Sequence, residues 1–216
     1  MGRLRIAFAG GSKGYTGKFM SNARIVLFGL IAVVVLAAVW ILSNINTIPR
    51  QDEAANAAWS QVLNQYQRRA DLVPNLVATV KGYAAHEEKV LTEVTNARAR
   101  VGQIAAPDPK DPQAVENYDK AQRDLTGALS RLLVVAENYP QLKANENFLT
   151  LQSQLEGTEN RISVARRDYI DAVRAYNTTL RTFPGRFVAA IFYPSAEPRA
   201  NFQAEAGAEK APQVQF

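Results

Sequence analysis

A chain of 216 residues is long enough to bury a core of its own, and its lack of cysteine excludes disulfides, iron–sulfur clusters, thiolate zinc sites and a cysteine nucleophile. The net charge of +5 sits wholly in residues 1–24, where Arg3, Arg5, Lys13, Lys18 and Arg24 stand without an acid, leaving 20 basic and 20 acidic residues over the rest. With no basic excess outside that tail to meet a phosphate backbone, nucleic acid is not an expected partner.

The basic tail, 1–24, contains GGSKGYTGKF, which resembles a phosphate-binding loop until its positions are counted. The pattern G-x-x-x-x-G-K-[ST] anchored on Gly17 and Lys18 requires glycine at 12 and a hydroxyl at 19, where the chain has Ser12 and Phe19. A basic segment near lipid head groups is the expectation instead. The next stretch, IVLFGLIAVVVLAAVWIL, has no charge and no proline. At about 1.5 Å per residue it makes a helix roughly 27 Å long, close to the hydrocarbon thickness of a bilayer. A transmembrane helix is therefore predicted over 25–43. A core helix is rarely apolar all round, and signal cleavage requires small residues where the chain has Trp40, Ile41 and Leu42. Five Lys/Arg precede the span, whereas Arg50 beyond it is followed by Asp52 and Glu53. The positive-inside bias puts the amino terminus in the cytoplasm and the following domain outside it, in the periplasm if the cell has one. A chain begun at Met20 would keep only Arg24 ahead of the span.

Beyond the start signal Thr47-Ile48-Pro49, alternating steps of three and four pick out Trp59, Val62, Tyr66, Arg69, Val73, Leu76, Val80, Tyr83, Glu87, Val90, Val94, Ala97, Val101 and Ile104. Leu63, Ala70, Val77, Ala84 and Leu91 widen this coiled-coil-like stripe into the broad face of a bundle helix. Pro74 interrupts neither the step nor the stripe. One long helix, 52–104, kinked at Pro74, is the expectation. Such a helix would reach roughly 80 Å, so that part of it projects, bends or packs on another subunit. A mid-helix proline costs roughly 3 kcal/mol. It also frees the Ala70 carbonyl, which Arg68, Arg69 or a water is expected to satisfy.

PDPKDP, 107–112, makes a turn. A second helix follows over 113–138 with Val115, Tyr118, Leu125, Leu129, Leu132 and Ala136 on one face, closed by Tyr139-Pro140. A third, capped by Asn145, carries Phe148, Leu151, Leu155, Thr158, Ile162, Ala165, Tyr169, Ala172, Tyr176, Thr179 and Phe183 at the same alternation. A short amphipathic piece, 185–192, precedes a polar tail, 194–216, expected to be mobile. Short connections between long apolar-faced helices imply antiparallel neighbours. The fold class predicted is all-α: an N-terminal transmembrane helix, then an antiparallel up-and-down, four-helix-type bundle with a long kinked first helix.

Two blocks, AAWSQVLNQYQRRADLVPNLVATVKGYAAHE and NFLTLQSQLEGTENRISVARRDYIDAVRAYNTTLRTFPGRF, resemble the hallmark segments of the LemA family. The likeness covers roughly 50–193, and RRADLVPNLV and LEGTENRI are long and unusual enough to be specific. The resemblance implies an amino-terminal anchor and a helical bundle, with no established activity, cofactor or catalytic residue to carry over; some relatives are associated with membrane shaping in bacteria. The basic tail ahead of the anchor is longer than the family pattern.

Catalytic constellations are not evident. His86 is the single histidine, which leaves no histidine-rich metal site and no Ser-His-Asp relay. Beside Glu87 and Glu88 it reads as a solvated helix face. Glu156, Glu159 and Asp168 supply carboxylates, but a di-metal bundle site requires Glu-x-x-His from two helices. No catalytic residue, metal or cofactor is assigned. The charged cluster is Arg68, Arg69 and Asp71 on the first helix with Glu156, Glu159, Arg161, Arg166, Arg167 and Asp168 on the third. Three readings compete for it: surface ion pairs worth little, a buried network that fixes helix register through Arg69, and an anion site. Tyr66, Tyr83, Tyr118, Tyr169 and Tyr176 are expected in the core with hydroxyls at its edge. TFPGRFVAAIFYP either docks on the bundle or meets lipid or a neighbouring subunit.

The leading functional expectation is a non-enzymatic single-pass membrane scaffold in bacterial envelope organisation. Its expected partners are the lipid bilayer and further copies of itself or another membrane protein. The alternative is a membrane-anchored sensor or adaptor that takes a small anionic ligand or peptide at the Arg/Glu/Asp cluster.

Overall fold

The computed structural model describes residues 16–202, and every regular element among them is helical. The chain divides after Ile45 into two compact units. The first is α1, Thr16–Ile45. Its large apolar side chains from Ile25 to Trp40 are exposed on all sides, so no protein core covers them. This removes the buried-core alternative, and α1 is long and apolar enough to cross a bilayer.

The second unit comprises α2 (Thr47–Lys81), α3 (Glu88–Gln103), α4 (Pro112–Ala136), the single turn α5 (Pro140–Lys143), α6 (Glu146–Arg181) and α7 (Gly185–Phe192). The starts of α4 and α6 are locally encoded. Asp111 accepts hydrogen bonds from the Gln113 and Ala114 N–H groups, with Pro112 at the first helical position, and Asn145 accepts from Phe148 N–H. Cross-helix pairs give the directions. Trp59 meets Tyr169 and Arg69 meets Glu159, so α2 and α6 are antiparallel; Tyr66 meets Tyr118 and Arg69 meets Gln122, so α2 and α4 run the same way. Arg98 on α3 returns to Ala70 on α2. The four long elements thus run up, down, up and down.

The expected single helix over 52–104 is corrected: it is broken between Lys81 and Glu88, and α3 folds back beside α2. The Tyr83 and Ala84 N–H groups both turn to the Val80 carbonyl around Gly82, and Glu87 N–H donates to Ala84 O. The apolar stripe survives because both arms face the same interior, through Val80, the corner residue Ala84 and then Leu91. Two predicted stripe positions become corner groups instead. Tyr83 is 43% exposed, its hydroxyl accepting from Asn145 Nδ2, and Glu87 accepts from the Tyr139 hydroxyl, tying this corner to the connection between α4 and α6. No overhang of the bundle results, since α2 and α6 match at 35 and 36 residues.

Pro74 lies inside α2, as expected. The carbonyl it frees is taken by neither Arg68 nor Arg69. Arg98 Nε donates to Ala70 O at 3.0 Å, so the proline's missing bond becomes a tie between the two arms of the hairpin.

The interior forms two apolar clusters, one around Val80, Val94, Leu125 and Leu132, the other around Trp59, Tyr66, Ile162 and Tyr169. Over the second lies 194–202, the first part of the polar tail: Arg199 is buried, and Phe202 stacks near Trp59 and Tyr169 at 5.7 and 5.4 Å between ring centres. The rest of that expected tail, and the basic tail through residue 15, lie outside the described residues. At the end of α6 the chain turns so tightly that a Cβ on Gly185 would stand 2.2 Å from the Thr179 carbonyl oxygen. Gly185→Ala is expected to lose about 2 kcal/mol and to free α7, read as a lower melting temperature with faster proteolysis near residue 185.

Candidate functional site

A layer of polar side chains crosses the bundle between the two apolar clusters. At its centre is Arg69, only 1% exposed although it occupies a stripe position of α2. Its Nη1 donates to Glu159 Oε1 at 2.8 Å and to the Thr126 hydroxyl, and its Nη2 donates to the backbone and side-chain oxygens of Gln122. The guanidinium also lies 5.3 Å from the centre of the Tyr66 ring. Its Nε has no acceptor.

Two turns along α6 from Glu159, Arg166 donates to Asp119 of α4 and, at 2.8 Å, to the Tyr66 hydroxyl. Asp119 is 3% exposed and also receives Arg123 from the next turn of its own helix. Burial works against the charge on Arg166, but its hydrogen bonds to Asp119 and Tyr66 outweigh that and hold its pKa above the ordinary value. Burial pushes the Tyr66 hydroxyl up, with Arg166 partly offsetting it. Each carboxylate of the layer thus faces guanidinium from another helix, and α2, α4 and α6 are held at one register. Removing Glu159 would leave the buried Arg69 without its counter-charge, and removing Asp119 would take the shared acceptor from Arg166 and Arg123.

Of the sequence-predicted cluster, the structure brings together Arg69, Glu159 and Arg166. Arg68, Arg161, Arg167 and Asp168 are exposed, Asp71 accepts from Gln67 and Glu156 accepts from Gln152, both on their own helices. Tyr66, Tyr118, Tyr169 and Tyr176 are buried as expected, and Tyr83 is not. His86 lies exposed in the corner between α2 and α3. Sequence reasoning missed Asp119, Gln122 and Thr126 on α4. A signal existed: stepping by three and four from Val115 through Tyr118 lands on Gln122 before Leu125, a polar break in the α4 stripe that answers Arg69 in the α2 stripe. A recess of about 210 Å³ opens beside the layer, lined by Tyr66, Arg69, Arg123, Glu159, Ser163 and Arg166 among others. Among the described residues no group of three His, Asp or Glu side chains is assembled.

A second polar junction holds the end of the described chain. Arg199 donates through Nε and Nη2 to Asp52 Oδ1 at 3.0 and 2.8 Å, Asn177 exchanges two hydrogen bonds with the Arg199 backbone, and the Tyr169 hydroxyl donates to Ala200 O. Burial pushes the hydroxyls of Tyr169 and Tyr176 up to about 12, with Asp52 adding to the second. An unfolded tyrosine ionises near pH 10. Below that value both states keep the proton and full stability is present; as pH rises toward 12 only the unfolded chain loses it, so stability falls. Melting temperature is expected to drop across this window, and less steeply in Tyr169→Phe.

This geometry coincides with a family pattern: the profile described as the LemA family matches residues 58–216, which include Arg69, Asp119, Gln122, Glu159, Arg166 and Arg199. The chain belongs to the LemA family. Among curated relatives, Magnetosome protein MamQ 2 of Paramagnetospirillum magneticum is 25% identical over 186 residues, covering 77% of this chain and 68% of that protein. Magnetosome protein MamQ of Magnetospirillum gryphiswaldense is 24% identical over 185 residues, covering 75% and 68%. Protein LemA of Metamycoplasma hominis is 25% identical over 159 residues, covering 73% and 68%. Both polar junctions of this LemA-family chain therefore lie in the matched region except for Asp52, the carboxylate that receives Arg199.

Proposed function

We propose that this LemA-family protein is a non-catalytic membrane scaffold that self-associates or docks membrane partners in organising the bacterial envelope. In this reading α1 anchors it in the inner membrane with the amino terminus in the cytoplasm and the bundle outside. The observation that carries the reading is the internal pairing of the polar layer: Arg69 with Glu159, and Arg166 and Arg123 with Asp119. Charges used to lock three helices together give a rigid body whose outer faces serve contact. That relatives are named for a subcellular body, the magnetosome, and not for a reaction, supports an assembly role. The test is the mass of the full-length protein in mild detergent or native lipid particles. A uniform multi-copy assembly, or a stoichiometric membrane-protein partner, is expected; a monomer without either would overturn the scaffold.

One observation favours a second reading. The recess of about 210 Å³ has Arg69, Arg123 and Arg166 on its wall against Glu159, a shape and charge suited to a small anion. A sensor of that kind would raise its melting temperature with inorganic phosphate or a short-chain dicarboxylate, whereas the scaffold would not respond.

A further inference from the structure

The helix α7 is half docked. Gly185 and Val188 are buried against the bundle, while Phe187, Ile191 and Phe192 are 54, 54 and 45% exposed. Phe187 and Ile191 stand one turn apart on the same side, so a short apolar ridge faces outward. Its neighbours along the chain are cationic: Arg181 and Arg186 flank it, and no acid occurs from 172 to 196.

Chain connectivity decides what this ridge meets. Because α6 runs antiparallel to α2, its last turns lie level with the start of α2, as the Tyr176 hydroxyl beside the Asp52 carboxylate records. From there α7 follows α6 and packs against both α6 and α2. A single residue, Asn46, separates the start of α2 from Ile45, the last residue of α1. The ridge is thereby leashed close to the point where the chain leaves its apolar span.

We propose that the outer face of α7 is a lipid-contacting surface, its aromatic and aliphatic side chains lying in the head-group and upper acyl-chain region while Arg181 and Arg186 meet anionic phosphate groups. The inference rests on α1 as a membrane span and is independent of self-assembly. Two large apolar side chains on one side with a third at the helix end, cations at the rim and no acid in the stretch 172–196 suit an interfacial helix. A second copy of the chain is a poorer occupant, since the face of an eight-residue helix falls well short of the roughly 800 Å² per partner of a stable interface.

The chain has no cysteine, so single labels are clean. Full-length variants Val34→Cys in α1, Ile191→Cys in α7 and Lys89→Cys at the start of α3 would carry an environment-sensitive fluorophore. They would be reconstituted in vesicles of mixed zwitterionic and anionic phospholipid containing spin-labelled lipid. The expected result is strong lipid quenching at 34, several-fold stronger quenching at 191 than at 89, and iodide protection at 191. Quenching at 34 with iodide-accessible, lipid-unquenched label at 191 would overturn the inference and leave the span intact. A label at 191 shielded from both quenchers would mean a protein occupant and overturn it equally. Loss of quenching at 34 would remove the span, and this inference with it.

Discussion

Arg69→Ala is expected to be among the most destabilising single substitutions in the bundle, at about 3–5 kcal/mol. The loss has two parts. Glu159 and the Gln122 carbonyl lose their donors, and a cavity opens between the two apolar clusters where a guanidinium now fills the space. The size of the effect does not mean that the polar layer is a net source of stability, because desolvating an arginine and a carboxylate offsets most of what their attraction returns. Replacing the set together, as Arg69→Met with Gln122→Leu and Glu159→Leu, should therefore recover much of the loss. Denaturant titration of the full-length protein in detergent would measure both variants. Equal midpoints for Arg69→Ala and the parent would sink the network; a triple variant no better than the single would show that the layer stabilises outright. A recovered triple variant with broadened unfolding would locate the layer's value in register, since without it the stripes of α2, α4 and α6 offer apolar groups at many offsets.

Arg199→Ala is expected to lose about 2 kcal/mol, in line with removing hydrogen bonds to a charged acceptor, and to release the segment 194–202 from the bundle. Arg199 gives both of its side-chain hydrogen bonds to one carboxylate oxygen of Asp52, whereas Arg69 serves Glu159, Thr126 and two oxygens of Gln122, so the effect stays below that of Arg69. The Arg199 backbone is still held by Asn177, and Tyr169 still reaches Ala200. Asn177→Ala combined with Arg199→Ala should therefore exceed the sum expected from independent sites. Limited proteolysis reads the release directly: cleavage between 194 and 202 should rise in the single variant and dominate in the double. Arg199→Lys should recover part of the stability, keeping the charge but not the two-pronged donation to Asp52.

Much of this protein was legible from local order alone. The apolar run 25–42, the turn at 107–112, the Asn145 cap, the hydrophobic steps along α4 and α6, and the family blocks are all readable within a few residues, because helix formation, capping and insertion are governed by neighbours a turn away. Arg69 was visible for the same reason, as a charge on an apolar stripe.

Tertiary structure decided what a stripe cannot report, namely direction and partner. The residues from Trp59 to Ile104 keep one phase whether the chain runs straight or doubles back at Gly82, because both arms face one interior; only packing made the expected 52–104 helix into α2 and α3. The same return delivered Arg98 to the Ala70 carbonyl that Pro74 frees. Gln122 and Thr126 lie more than 50 positions from Arg69, Glu159 lies 90 away and Arg199 lies 147 from Asp52. Which of the exposed and buried charges meet was therefore set by the antiparallel register of whole helices. Burial then made those few pairs matter, because in the interior an arginine must find its acceptors within the fold, whereas Arg68, one position along, is exposed to solvent.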